Sequence, residues 1–215
     1  MTYRAYRLHE ASQATTGPAR SKVRRFARRA LAGLMSRQST SSVRVVVLGL
    51  GNVQWGDAGV GVHALARLRA QWQCPAQVEL VEGGTRGRTL LPVVESAQRL
   101  IVLTALDFGL APGELRVLTG DEAARQLYLR RPNRPGMAFA DALACAQLSG
   151  RSPRDIVLIG VQPHHGDCYG ARLSSAVDGQ LDPVVDTARR WLQRWRAAPL
   201  PRTVACPGTP IPPGA

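Results

Sequence analysis

The sequence predicts an α/β fold: one three-layer domain, with a twisted, mostly parallel sheet of about five strands and helices on both faces. Three observations predict it. Short apolar runs rich in β-branched residues recur at Val45–Leu48, Leu100–Leu103 and Ile156–Val161, the pattern of strands buried on both faces. Segments of helical period stand between them, as parallel crossover connections require. The first run exits into a glycine-rich turn, Gly49-Leu50-Gly51, at the place where open α/β sheets receive ligands.

Taken in order, the first strand is predicted at about 43–49. Residues 59–72 follow with Val60, Val62, Ala64, Leu65, Leu68 and Trp72 on one helical face and arginines opposite. Val78, Leu80 and Val81 mark a second strand ending at Glu82-Gly83-Gly84, and residues 87–97 read as a short helix. The third strand is Leu100–Leu103. Pro112-Gly113 makes a turn before a predicted edge strand at 114–118. Met137–Leu148 reads as a helix, with Cys145 on its apolar side, and Ile156–Val161 as the last strand. Residues 179–197 form the final helix, its apolar side carrying Leu181, Val184, Val185, Ala188, Trp191, Leu192 and Trp195.

The first turn has two readings from its residues alone. A dinucleotide fingerprint needs a third glycine where Gln54 stands, and a side chain there obstructs the close helix–strand packing that glycine permits. The plainer reading is a structural turn in which Asp57 serves as a helix N-cap. A serine or cysteine triad has no G-x-S-x-G support, and no carboxylate pair has the spacing of an aspartic dyad.

Four ordered segments carry a more specific signal. They are Gly49-Leu50-Gly51-Asn52-Val53-Gln54-Trp55-Gly56-Asp57-Ala58-Gly59-Val60-Gly61, Glu82-Gly83-Gly84-Thr85-Arg86-Gly87, Thr104-Ala105-Leu106-Asp107-Phe108-Gly109 with Ala111-Pro112-Gly113, and Ile159-Gly160-Val161-Gln162-Pro163 with Asp167-Cys168-Tyr169-Gly170. In order and spacing the block, spanning about residues 44–196, resembles the hydrogenase maturation endopeptidases. The resemblance implies action on the nickel–iron hydrogenase large-subunit precursor, whose C-terminal extension is removed after nickel insertion. With it goes the expectation of a recognition cleft lined by Glu82, Gly83, Gly84 and Thr85; beside it Asp57 and Asp107, this chain's own nearby carboxylates, are the candidate catalytic groups.

The same resemblance implies three side chains that recognise the nickel carried by the precursor, with no permanently bound cofactor. Matched residue by residue, those positions hold Ala58, Thr104 and Pro135, none a good ligand for a late divalent metal. The alternative ligands nearby are His164 and His165, with Asp167 and Cys168 behind them. Two functions therefore stand: a maturation protease, or a catalytically degenerate paralogue that binds the precursor as a chaperone or assembly factor. The sequence leaves open whether the chain cuts.

The flanks carry most of the charge. Of a net +13, residues 1–44 hold ten Lys/Arg against the single acid Glu10, while residues 45–215 hold 18 against 14. That division argues against specific nucleic-acid binding by the folded part. Residues 1–42 are predicted to be a basic, disordered extension, 43–197 the protease-like domain, and 198–215 a proline-rich disordered tail. Within the extension, residues 22–35 have the spacing of a basic amphipathic helix, of the kind that lies on anionic lipid; membrane contact there is the lesser expectation. Met35 offers an alternative start, on which residues 1–34 would not be translated. Four cysteines without C-x-x-C pairing, and no apolar run of 18 residues, predict reduced thiols and a cytoplasmic location.

Overall fold

Strand β1, Val45–Leu50, lies inside the sheet, as its uninterrupted apolar run demands. Val45 to Leu48 are each at most 1% exposed. The computed structural model describes residues 43–129, 138–164, 168–170 and 172–202. Residues 1–42 and 203–215, and with them the predicted amphipathic helix, lie outside that set.

The sheet has five strands in the order β3-β1-β4-β6-β5. Strands β3 (Val78–Gly84), β1, β4 (Arg99–Ala105) and β6 (Asp155–Val161) run parallel, and β5 (Leu115–Thr119) pairs antiparallel with β6 at the edge. Alternation along the strands divides the core. Val45, Val47, Ile101, Leu103, Val157 and Ile159 face α1 (Val60–Gln71) and α6 (Leu181–Arg194). Val46, Leu48, Leu100, Val102 and Leu158 face α2 (Leu91–Ser96), α3 (Gly120–Leu129) and α4 (Ala138–Leu148). The expected α/β layers are thus present, with helices on both faces.

The chain leaves β1 toward β3 on one side and returns through α2 to β4 on the other. This reversal opens a crevice at the carboxyl ends of β1 and β4. Local differences from the sequence reading have physical causes. The helix read over 87–97 is a 3-10 turn, Gly87–Leu90, followed by α2, with Pro92 in the helix's first turn. The final helix read over 179–197 is α6, Leu181–Arg194, and a separate short helix not read from the sequence, α5 (Ser175–Asp178), capped by the Ser174 hydroxyl, precedes it. Helix α3 was not anticipated, although Asp121 and Glu122 suit its first turn and Ala123 and Leu127 lie one turn apart in the core. Cys145 is exposed rather than core, because Ala142, Leu143 and Ala146 take the inward face of α4.

The tail predicted to begin at 198 is ordered through Arg202. Leu200–Pro201 (β7) pairs antiparallel with Trp72–Gln73 (β2), the Arg202 amide donates to the Gln71 carbonyl, and its Nε donates to the Trp72 carbonyl. Proline is tolerated in such a two-stranded edge pair, where one face of the ladder is open. The Arg189 guanidinium stacks 3.5 Å over the Trp72 ring, fastening α6 across the end of α1. No helix among the described residues is long and apolar enough to cross a membrane.

Candidate functional site

The turn after β1 is shaped by close backbone approach. Gly51 has φ +127°, and a Cβ there would lie 1.9 Å from the Ala58 carbonyl oxygen. At Gly61 a Cβ would fall 2.1 Å from the Leu103 carbonyl oxygen and 2.4 Å from that of Leu50, so α1 starts directly on two sheet strands. Asn52 accepts the Gln54 amide at 2.9 Å and holds the loop between them. These glycines serve packing, and Gln54 occupies the position that a nucleotide fingerprint would need free.

Asp57 stands in the first turn of a 3-10 segment, Gly56–Gly59, yet it does not cap it. Its carboxylate leaves its own turn. Oδ2 accepts the His164 amide at 2.9 Å and the Ser174 hydroxyl at 2.9 Å, and Oδ1 accepts the Ser174 amide at 2.6 Å. The side chain is 1% exposed. A buried carboxylate is tolerated where charge-assisted donors surround it. The expected N-cap is therefore a strut that ties the turn after β1 to the loop after β6.

Gln162, which the sequence reading passed over as a motif letter, performs the matching task on the other wall. Its Oε1 accepts the amides of Phe108 at 2.7 Å and Leu110 at 3.3 Å. Its Nε2 donates to Asp107 Oδ1 at 3.1 Å and to the Pro163 carbonyl at 3.4 Å. Two amide donors on one side, and a carboxylate and a carbonyl on the other, fix the orientation of the amide group. Asp107 is exposed, and its Oδ1 also accepts the Gly109 amide at 2.9 Å. The Phe108 ring lies over Gly160, where a Cβ would meet Cε2 at 2.9 Å. The available signal for Gln162 was a polar residue directly after a wholly apolar strand, next to a proline. Ser174 carried no comparable signal.

The other predicted residues fall around the same crevice. Glu82 is exposed and registers opposite Gly49; Gly83 is buried, with Leu48 and Leu50 where its side chain would be; Gly84 has φ +53°; Thr85 is exposed. The Gly51 amide donates to the Gly84 carbonyl at 3.0 Å, joining the first two motifs. The Gly170 amide donates to the Gln54 carbonyl at 2.8 Å, and Tyr169 meets Trp55 edge to face at 5.6 Å.

The turn bearing Ala58 packs against β4, whose end carries Thr104, and the Thr104 hydroxyl donates to the Ala105 carbonyl at 3.3 Å. Neither side chain supplies a carboxylate or imidazole, so these residues do not fit a carboxylate–imidazole metal set. Among the described residues no group of three His, Cys, Asp or Glu side chains is gathered as a metal site. The positions of Pro135, His165 and Asp167 lie outside the described residues, while His164 is held by its backbone amide.

Comparison with known proteins places this architecture among relatives. The family described as hydrogenase maturation protease matches residues 62–191. The chain is 37% identical to the hydrogenase expression/formation protein HoxM of Cupriavidus necator, over 74% of this chain and 79% of that protein. It is 41% identical to the hydrogenase expression/formation protein HupD of Rhodobacter capsulatus, over 71% of this chain and 72% of that one. Among solved structures, the hydrogenase maturating endopeptidase HybD from E. coli superposes with TM-score 0.69 at 27% identity, covering 74% of this chain and 98% of that one.

Proposed function

The chain belongs to the hydrogenase maturation protease family, and from that premise we propose that it acts on the large-subunit precursor of a nickel–iron hydrogenase, removing its C-terminal extension after nickel insertion. One observation carries this reading. The four motif segments, far apart in sequence, are joined by hydrogen bonds around one crevice at the carboxyl end of the sheet: Gly51 to Gly84, Asp57 to His164 and Ser174, Gln162 to Asp107 and Phe108. A crevice with fixed walls suits an extended peptide, which must be held still before water attacks a chosen bond.

In this reading nickel arrives as part of the precursor. Asp57, engaged by His164 and Ser174, is a positioning group, and the exposed Asp107 is the carboxylate that meets the incoming chain. Ala58 and Thr104 supply no metal-binding step. A second reading, which the family match and the endopeptidase structure do not favour, has the protein bind the precursor as a chaperone or assembly factor without cutting it.

Mass spectrometry of a nickel-loaded precursor, before and after incubation with the protein, separates the two. A single C-terminal truncation supports the protease reading. An uncut precursor that co-purifies with the protein supports the second. Neither cleavage nor co-purification refutes both.

A further inference from the structure

Among the described residues, Asp57 and Gln162 are the polar side chains that the interior takes in, at 1% and 7% exposure. Burying such groups is costly unless they are fully hydrogen-bonded, so their presence marks positions where geometry outweighs apolar packing. Both are committed to the loops that wall the crevice.

The two locks are linked into a closed circuit. The Gln162 amide donates to the Glu114 carbonyl, and its carbonyl accepts the Gly113 amide, both at 2.8 Å, which anchors the entry to β5. Gly113, at φ +86°, lies so close to the Ala176 carbonyl that a Cβ would sit 2.7 Å from it. Ala176 belongs to α5, whose capping residue Ser174 is held by Asp57. Asp57 also holds His164, two residues from Gln162 across Pro163. Every step of this circuit is a hydrogen bond, a backbone contact or adjacent chain.

The geometry points to Gln162 as a positioning residue: its side chain sets Asp107 and the chain through Leu110 as one wall of the crevice and couples that wall, through Pro163 and His164, to the turn bearing Asp57. The precursor as occupant of the crevice rests on the function proposed above; the coupling itself does not.

Hydrogen exchange and a double-mutant cycle test it. Gln162→Met keeps the length and loses both donor and acceptor. Gln162→Glu keeps the acceptor toward Phe108 and Leu110, loses the donor toward Asp107, and serves if the methionine variant folds poorly. In Q162M the Phe108, Leu110 and His164 amides should exchange about tenfold faster or more, while amides of α1 and α6 hold. In Q162E, Phe108 and Leu110 should stay protected. The loss of precursor affinity in the double variant Q162M with Asp107→Ala should be smaller than the sum of the two single losses, since both remove the Gln162–Asp107 bond. A residue that merely stabilises the fold would speed exchange uniformly and give additive losses. Unchanged exchange at Phe108 and Leu110 in Q162M, or fully additive losses, overturns the proposal. If the unmodified chain captures no precursor, the proposed function falls and the exchange pattern alone decides the role of Gln162.

Discussion

Replacing Asp57 by asparagine tests the central strut with the smallest change of shape. From the described residues the carboxylate receives three donors, two of them backbone amides. An amide side chain offers one acceptor oxygen. In one orientation its NH2 faces the Ser174 amide, in the other the His164 amide, so a buried N–H meets a donor either way. The Ser174 hydroxyl can turn and adapt. Hydrogen bonds to a charged group contribute about 1.5–3 kcal/mol each, and removing the buried charge returns part of that loss. A net cost of about 2–3 kcal/mol follows. At about 2–4 °C per kcal/mol for a chain of this size, Tm should fall by roughly 4–12 °C. Calorimetry gives the shift, and hydrogen exchange locates it at His164 and Ser174. A Tm within about 1 °C of the parent, with both amides exchanging as before, would refute the assignment of Asp57 as a strut.

Three further predictions rest on other parts of the molecule. Gly61→Ala should cost about 3 kcal/mol or more, measured by urea denaturation, because the new methyl meets strand carbonyls that cannot move aside; a loss below about 1 kcal/mol would show that α1 can lift freely. Burial pushes the Cys74 thiol above its ordinary range, with the Arg202 charge opposing in part, so less thiolate is present at pH 8 and alkylation there should lag behind exposed Cys145 and Cys168. Timed iodoacetamide labelling read by mass spectrometry checks the order, and Cys74 reacting first would contradict it. The double variant Ala58→Glu with Thr104→Asp should bind cadmium at least about tenfold more tightly than the parent in calorimetry, because two carboxylates then face one crevice; no gain would mean that these positions are mismatched to the family's ligands.

The layers of the fold were legible because apolar runs such as Val45–Leu48 and Ile156–Val161 report burial locally, through nothing beyond neighbouring residues. The crevice was legible through its glycines, which stand where a side chain would strike the backbone, as at Gly51 and Gly61, or where φ is positive, as at Gly84. What fastens the crevice was not. Asp57 and Ser174 lie 117 residues apart, and neither sequence neighbourhood encodes the other. A carboxylate near a helix start reads as a cap by local rules, and only the tertiary path of the loop after β6 turns it into a cross-link. Helix α3 was missed because a strand with an apolar face precedes it without a break, and β7 because prolines conceal a two-residue pairing.

The β2–β7 pair also has a bearing on how the molecule can be handled. Arg202 is bonded to the end of α1, and Val43 precedes β1, so the described chain enters and leaves at the amino ends of the strands. The crevice lies at the other end, about 20 Å away along a six-residue strand. A purification tag, fluorophore or surface tether joined at either of these points therefore starts out on the far side from the crevice. Immobilised protein would present its open face to a captured partner, and a fusion at Arg202 would keep the last strand that a cut at residue 197 would remove.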